Sequence, residues 1–169
     1  NIGLMPGLVS SYKQGAAWKA SPIGQKFSAF LAEKGVIIVA WIWQAGGAAS
    51  RTAPVIGPED VKALKYRGGS REMDMVAKAA GATTLSLPSS ETYAAMQTGA
   101  VDVVMTSATS LISFRLQEVS KHLTISKSGK SYWFMLEPLL MSKTIFGNLP
   151  KDQQALVMTV GAEMEKFGT

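Results

Sequence analysis

The sequence predicts an α/β fold built on an open sheet with right-handed crossover connections. Short apolar segments with strand propensity alternate along the chain with segments of helical periodicity. Serine, proline and glycine residues stand where helices of ordinary length would begin and end. Hydrophobic residues make up 47% of the 169 residues, which is ample for a buried core. These observations together predict the fold class.

The first clear elements are a helix and an apolar strand. The helix begins at Ser21 and Pro22, because serine caps helix N-termini and proline is favoured in the first turn. It ends at Gly35. Residues 36–43 are β-branched and aromatic, which is typical of a strand buried on both faces of a parallel sheet. Residues 44–50 contain a glutamine and two glycines, which predict either a ligand-binding strand end or an ordinary exit loop.

The rest of the predicted fold is arranged around residues 64–70. They predict a short strand that ends at Arg67, a glycine turn, and Ser70 as the N-cap of a helix over residues 71–80. The glycines are expected to leave backbone N–H groups open to a guest. Arginine beside a helix N-terminus suits a carboxylate or phosphate, because its planar fork offers paired donors. The alternative is an ion pair at the surface between Arg67 and a neighbouring acidic residue. The Arg67 side chain is expected to be exposed.

The remaining segments continue the alternation of strands and helices. They predict a short helix at residues 58–64, strands at residues 83–87, 101–106 and 122–125, helices at residues 88–99 and 111–119, apolar segments at residues 132–136 and 139–141, and a final helix that starts over residues 149–152. No repeat and no low-complexity tract interrupts this pattern.

Composition and charge argue against several functions. The net charge is +5, but the lysines are scattered, which argues against nucleic-acid binding. The lack of cysteine and the single histidine, His122, argue against metal sites and histidine-based catalysis. The longest apolar run, residues 36–43, is too short to span a bilayer. A signal peptide and an initiator methionine are absent, so the chain is expected to be a piece or a processed form of a longer protein.

Polar side chains are predicted to gather at one edge of the sheet, where the carboxyl ends of the strands meet. These residues are Gln44, Arg67, Ser89, Thr106 and Ser107. Aromatic residues belong to the core by default, and Trp43 is predicted to line the pocket as well. This set suits binding rather than catalysis, because no nucleophile lies next to an evident base. The alternative is an enzyme of small organic acids, with Arg67 as anchor and Asp102 as base.

Residues 58–67, with the sequence P-E-D-V-K-A-L-K-Y-R, resemble the P-E-D-L-K-G-L-K-x-R signature of the substrate-binding proteins of TRAP transporters, the DctP family. The resemblance continues, in the family's order, through residues 80–82, 91–102, 118–124, 141–143 and 149–154. It implies a bacterial periplasmic receptor, not an enzyme, with the two-lobed, type II-like fold of periplasmic binding proteins. Such a receptor closes around a C4-dicarboxylate, a keto acid or a similar organic acid and delivers it to the small and large membrane subunits of the transporter.

The resemblance also implies residue roles. Arg67 matches the arginine that pairs with the ligand carboxylate in this family. Residues 44–47 resemble the Q-x-G-G of keto-acid receptors, which makes Gln44 a second contact. Thr106 stands where many relatives carry the ligand-binding asparagine of G-x-E-N-P. Neither Met105 nor Thr106 can supply the carboxylate that holds a metal in some keto-acid receptors, so no metal and no cofactor are expected.

The resemblance implies a division of the chain as well. Residues 44–131 are expected to form one nearly complete lobe with most of the ligand-binding residues. Residues 1–43 and 132–169 are expected to be parts of the other lobe, the latter with the C-terminal helix. The resemblance also implies that the family's N-terminal part is not included in these 169 residues. Apolar surface would therefore stay uncovered, and the chain is expected to self-associate.

Overall fold

The computed structural model describes residues 2–127 and 130–167 of the chain. Its helices are α1 (Tyr12–Ala20), α2 (Pro22–Glu33), α3 (Arg71–Ala79), α4 (Thr92–Thr98), α5 (Ala108–Ser113), α6 (Lys143–Asn148) and α7 (Lys151–Phe167). Its strands are β1 (Val36–Ala40), β2 (Trp43–Ser50), β3 (Lys65–Arg67), β4 (Thr83–Thr84), β5 (Val103–Ser107), β6 (His122–Ile125), β7 (Phe134–Leu136) and β8 (Leu139–Ser142). Short 3-10 turns cover Ile2–Leu4, Pro58–Val61, Ser89–Glu91 and Leu116–Glu118. Over the described residues, no helix combines the length and the hydropathy needed to cross a bilayer.

The chain divides into two compact units. Unit 1 comprises Asn1–Ser10 and Ala45–Met135, and unit 2 comprises Ser11–Gln44 and Leu136–Thr169. The sequence predicts residues 1–10 to group with the segments of unit 2, but they pack in unit 1. Backbone hydrogen bonds explain this difference, because Gly7 N donates to Tyr132 O at 2.7 Å and Ser131 N donates to Ser10 O at 3.0 Å.

The sheet of unit 1 has the strand order β4-β3-β5-β2-β6, and β7 pairs with β2. Strand β3 runs parallel to β4 and β5, whereas β2 is antiparallel to β5 and β6. The α/β fold class is confirmed, but the sheet is mixed. Only the part around β3, β4 and β5 has the parallel arrangement that needs helical crossovers.

Residues 44–50 are not a loop but part of β2. The glycines of this strand allow close packing. A Cβ at Gly46 would lie 2.5 Å from Cε3 of Trp133, and a Cβ at Gly47 would lie 3.0 Å from Cδ1 of Leu111. Glycine within a strand marks such a close approach. Because glycine also occurs in loops, the sequence alone did not distinguish a strand from a loop here.

Helices cover both faces of the sheet in unit 1. The buried cluster on one face joins α3 to the sheet through Tyr66, Met73, Ala77, Met105 and Trp133. The cluster on the other face joins α4 and α5 to the sheet through Ala49, Met96, Val104 and Leu111. Val104 and Met105 belong to different clusters because successive residues of a strand point to opposite faces.

Unit 2 is built on the antiparallel pair of β1 and β8. The prediction of a parallel strand over residues 36–43, buried on both faces, is wrong. Strand β1 ends at Ala40, and its first three residues are only half buried. Trp43 begins β2 instead. The aromatic residues of this segment pack on a helix, since the ring centroids of Trp18 and Trp41 are 5.7 Å apart.

Local signals predict several helix ends correctly. The hydroxyls of Ser21 and Ser70 accept hydrogen bonds from Gly24 N and Met73 N, both at 3.1 Å, and thereby cap α2 and α3. Gly99 follows α4 in the left-handed conformation, with φ of +77°. These contacts span only a few residues, so a short sequence pattern is sufficient to predict them.

Candidate anion-binding site

Arg67 ends β3, and only 6% of its surface is exposed. Its Nε and Nη2 atoms donate to the carbonyl oxygen of Leu87 at 3.1 and 3.0 Å, and Nη2 also donates to Oγ of Ser89 at 3.0 Å. The expectation of an exposed Arg67 side chain is therefore wrong. Neutral acceptors hold the guanidinium in one orientation, and they do not cancel its positive charge.

The segment after β4 positions these acceptors. Leu85 N donates to Tyr66 O at 2.9 Å, which holds the segment beside the end of β3. Pro88 then begins the 3-10 turn Ser89–Glu91, which turns the chain into α4. The hydroxyl of Ser89, which the sequence predicts as a ligand contact, thus lies against the Arg67 guanidinium.

Arg67 has no carboxylate partner in the described part of the chain, because no Asp or Glu oxygen there lies within 4.0 Å of its guanidinium. The predicted alternative of a surface ion pair is thus wrong for these residues. The remaining nitrogen, Nη1, lies 3.5 Å from Met105 O, at the outer limit of a hydrogen bond. Burial lowers the pKa of Arg67, while Asp74 and Tyr66 raise it. Arginine stays charged in proteins, so this buried cation favours a guest anion at Nη1.

A cavity of about 390 Å³ opens beside Arg67. Its wall consists of the turn after β3, the start of α3, and two residues of the segment after β4, Ser86 and Leu87. Arg67 and Arg71 supply positive charge to this cavity, and Asp74 supplies negative charge. The cavity can therefore hold an anion that also carries a hydrogen-bond donor.

Asp74 is a residue of this site that was not predicted from the sequence. Its Oδ1 accepts a hydrogen bond from Gly68 N at 2.8 Å. The N–H of Gly68 is therefore not open to a guest, contrary to the expectation for this turn. Burial raises the pKa of Asp74, while the bond from Gly68 and the charge of Arg67 lower it. The sequence did contain a signal for this contact. Asp74 is an acidic residue in the first turn of a helix that follows a glycine turn, and such a residue lies near the backbone that leads into the helix.

Close packing explains the two glycines of the turn, since neither has a positive φ. A Cβ at Gly68 would lie 2.5 Å from Asp74 Oδ1, and a Cβ at Gly69 would overlap Cη2 of Trp133. Trp133 is fully buried, and its Nε1 donates to Leu4 O at 2.8 Å. Asp74 and Trp133 thus hold the turn that follows Arg67.

Thr106 and Ser107 end β5, the strand next to β3. The register pairs Arg67 with Val104, so Thr106 lies on the same face of the sheet as Arg67, two positions further along. Thr106 is 3% exposed. The Ser107 hydroxyl accepts a hydrogen bond from Ser110 N at 3.1 Å and caps α5. The predicted ligand contact Ser107 therefore also has a structural role.

Trp43 and Gln44, the other predicted ligand contacts, lie in unit 2 at the start of β2. Gln44 Nε2 donates to Glu137 Oε2 at 2.6 Å, and burial raises the pKa of Glu137. Gln44 Oε1 and Trp43 Nε1 are buried, and neither has a hydrogen-bond partner within residues 2–127 and 130–167. An unsatisfied buried polar atom is destabilising by about 1–3 kcal/mol, so a ligand or water bonded to either atom would be favourable.

Asp102, the base in the enzymatic alternative, precedes β5. Its Oδ2 accepts a hydrogen bond from Lys65 N at 3.0 Å, and its Oδ1 lies 3.4 Å from Nη1 of Arg51. Lys65 is the first residue of β3 and Arg67 is the last, and Asp102 does not line the Arg67 cavity. Its contacts indicate a structural role and do not support Asp102 as a base for a substrate held by Arg67.

Within the described ranges, no three His, Cys, Asp or Glu side chains are grouped so that they could hold a metal ion. His122 lies in β6 and is half buried. That ligand binding needs no metal stays a prediction.

A family model described as DctP, bacterial extracellular solute-binding protein, family 7, matches residues 2–169 of the chain. A solute-binding protein of Albidiferax ferrireducens is 64% identical over 167 residues, which are 99% of this chain and 49% of that protein. The 2,3-diketo-L-gulonate-binding periplasmic protein YiaO of Escherichia coli is 32% identical over 141 residues, which are 80% of this chain and 41% of that protein. The chain thus spans about half or less of the length of these relatives.

Solved structures show the same likeness. A TRAP periplasmic solute-binding protein from Rhodoferax ferrireducens with bound malonate is 63% identical, with a TM-score of 0.94 over 99% of this chain and 52% of that chain. A TRAP periplasmic solute-binding protein from Sulfitobacter sp. with bound β-D-galacturonate is 25% identical, with a TM-score of 0.85 over 99% of this chain and 55% of that chain. The backbone therefore has the fold of about half of such a protein.

Proposed function

The chain belongs to family 7 of the bacterial extracellular solute-binding proteins, the DctP family, and on that premise we propose a function for it. It is part of the solute receptor of a TRAP transporter and binds the carboxylate of an organic acid through Arg67. The observation that carries this proposal is the buried guanidinium, which has no carboxylate within 4.0 Å in the described part of the chain. A ligand carboxylate would supply the counter-ion through charge-assisted hydrogen bonds from Nη1, the nitrogen that Leu87 and Ser89 leave available. The relatives with bound malonate and galacturonate hold ligands of this class.

Further contacts are proposed for the residues that the sequence identifies. Thr106 lies on the same face of the sheet as the arginine, two positions further along. Ser89 fixes the guanidinium and lies at the same end of the sheet. Trp43 Nε1 and Gln44 Oε1 lack partners within the described residues, which supports a ligand contact for each. Ser107 completes the predicted set, although its hydroxyl already caps α5.

The lobes, the partners and the compartment are proposed from the family. The lobe predicted over residues 44–131 corresponds mainly to unit 1, and the partial lobe predicted over residues 1–43 and 132–169 corresponds mainly to unit 2. Gln44 groups with unit 2 instead, and residues 1–10 and 132–135 group with unit 1. The whole receptor acts in the bacterial periplasm, without a cofactor and without catalysis. It delivers a C4-dicarboxylate, a keto acid or a similar acid to the small and large membrane subunits of the transporter.

Small carboxylates are expected to raise the thermal unfolding temperature of this chain and to be recovered unchanged. A ligand that binds only the folded chain stabilises it by RT ln(1 + [L]/Kd), which is about 2.7 kcal/mol at a hundredfold excess over Kd. Calorimetric melting with malonate, pyruvate and lactate tests this, and their uncharged amides are the matched controls. Equal shifts with acids and amides, or no shift with any acid, would contradict the proposal. Chemical conversion of an acid would support an enzyme instead.

The chain is also proposed to self-associate through apolar surface of unit 2. Leu139 and Leu140 of β8 are 51% and 46% exposed, and a two-stranded sheet is marginally stable by itself. Light scattering is therefore expected to show dimers or larger species whose fraction rises with concentration. Leu140→Lys is expected to shift the equilibrium to monomer, because a charge on an exposed strand opposes pairing. Gln97→Lys, at an exposed position of α4, is the matched control, and a monodisperse wild-type monomer would contradict the proposal.

A further inference from the structure

We propose that Asp74 selects among the acids that bind at Arg67. It favours acids with a hydrogen-bond donor next to the carboxylate, namely 2-hydroxy and 2-amino acids, over dicarboxylates of the same size. This inference rests on the proposed function, because it requires that Arg67 holds the first carboxylate of the ligand.

The first support is the arrangement of charges in one cavity. Arg67 and Asp74 both line the cavity of about 390 Å³, yet their charged atoms lie more than 4.0 Å apart. A cation and an anion that face the same space without pairing leave room for a ligand between them. An acid that binds there places its carboxylate at the guanidinium and its neighbouring substituent towards Asp74.

The second support is the hydrogen bonding of the Asp74 carboxylate. Oδ1 accepts the bond from Gly68 N at 2.8 Å, which fixes the orientation of the carboxylate. Oδ2 has no hydrogen-bond or ion-pair partner in the described part of the chain. An ionised carboxylate only accepts hydrogen bonds, so Oδ2 suits a hydroxyl or ammonium group of the ligand. Arg71 also lines the cavity and attracts anions, but a second ligand carboxylate placed at Oδ2 would meet a like charge in a partly buried site.

The third support is that Asp74 is fixed by the fold and not by a flexible surface contact. It lies in the first turn of α3, which Ser70 caps through the bond from Met73 N at 3.1 Å. A Cβ at Gly68 would lie 2.5 Å from Asp74 Oδ1, so glycine is required for this approach. A fixed acceptor discriminates between ligands better than a mobile one, because the carboxylate cannot rotate away from a ligand substituent that it repels.

The test compares two acids of three carbons, lactate with a hydroxyl group and malonate with a second carboxylate. Their dissociation constants are measured by NMR titration of the whole 169-residue chain and of Asp74→Asn. Asparagine keeps an oxygen acceptor for Gly68 N–H and presents an amide donor where Asp74 presents Oδ2. The amide signal of Gly68 reports whether the turn is retained in the variant.

We expect the wild-type chain to prefer lactate. We expect Asp74→Asn to shift the ratio of the two dissociation constants towards malonate by about 10- to 100-fold, the usual worth of one hydrogen bond to a charged group. Asp152→Asn, at an exposed position in the first turn of α7, removes the same charge elsewhere and is expected to leave the ratio unchanged. If Asp74 had only a structural role, Asp74→Asn would weaken the binding of both acids equally and leave the ratio of their dissociation constants unchanged.

An unchanged ratio of the two dissociation constants in Asp74→Asn overturns the inference, and so does a wild-type preference for malonate. In either case, binding that depends on Arg67 still supports the proposed function. Binding of both acids that persists undiminished in Arg67→Ala overturns the proposed function itself, and failure of both acids to bind overturns both. If Asp74→Asn does not fold, lactate and propionate are compared on the wild-type chain. Lactate is expected to bind about tenfold more tightly, and equal affinity overturns the inference.

Discussion

Replacement of Arg67 by alanine is expected to weaken carboxylate binding by about 2–5 kcal/mol, or about 30- to several-thousand-fold. The reason is that the guanidinium is buried and already oriented by Leu87 O and Ser89, so a ligand carboxylate meets the charged Nη1 donor in a fixed position. Isothermal titration calorimetry with the acid that gives the largest thermal shift measures this loss. Arg67→Lys is expected to recover only part of the affinity, because an ammonium group lacks the planar fork.

The Arg67→Ala variant is also expected to be less stable, which needs its own measurement. Loss of the guanidinium leaves the half-buried acceptor at Leu87 without its donors, and such a loss is destabilising by about 1 kcal/mol. Urea denaturation therefore accompanies the titration. Lys78→Ala, at an exposed position in the last turn of α3, removes the same charge and is expected to change neither quantity much. Unchanged affinity in a folded Arg67→Ala would remove the central claim.

Replacement of Trp133 by alanine is expected to lower the free energy of unfolding by about 3–5 kcal/mol, as for other buried tryptophans. The indole is fully buried, lies against Gly46 and Gly69, and donates its Nε1 proton to Leu4 O. A small domain has a total stability of only about 5–15 kcal/mol, so this loss is large. The turn at Gly69 also loses its support, so carboxylate affinity is expected to fall in the molecules that remain folded.

Urea denaturation measures the effect of Trp133→Ala. Tyr132→Ala is the control, because this neighbouring aromatic side chain is 52% exposed and its loss is expected to have a smaller effect. Trp133→Phe keeps most of the apolar contact but loses the hydrogen bond to Leu4 O, for a loss of about 1 kcal/mol beyond the smaller ring. Equal losses in Trp133→Ala and Tyr132→Ala would show that the indole does not support the turn.

Short-range signals in the sequence predicted the parts of the fold that depend on neighbouring residues. Ser21, Ser70 and Gly99 delimit helices through bonds within a few residues, and the structure contains each of them. The helix expected over residues 111–119 instead begins at Ala108, because the hydroxyl of Ser107 acts as its cap. The same serine was interpreted as a ligand contact, since a hydroxyl after a buried strand suits a helix cap as well as a ligand.

Signals that depend on strand pairing were weaker. The glycines at positions 46 and 47 were compatible with a loop, but they belong to an antiparallel strand packed against Trp133 and Leu111. Asp74 was not predicted, although it lies in the same cavity as Arg67. Its contact with Gly68 depends on the angle at which α3 leaves the turn, and no propensity or periodicity specifies that angle.

The amino-acid sequence was sufficient for the α/β class, for the family and for Arg67 as the candidate anion-binding residue. Alternating periodicity, helix caps and a ten-residue signature are local properties of a chain, and they persist whichever strands pair. Only the tertiary structure shows that Arg67 is buried, because its acceptors on Leu87 and Ser89 are 20 and 22 residues away. It also decides that β2 runs antiparallel to β5, which no local pattern specifies. Contacts across such separations depend on the packing of the whole unit, since each strand offers the same hydrogen-bonding groups to several neighbours.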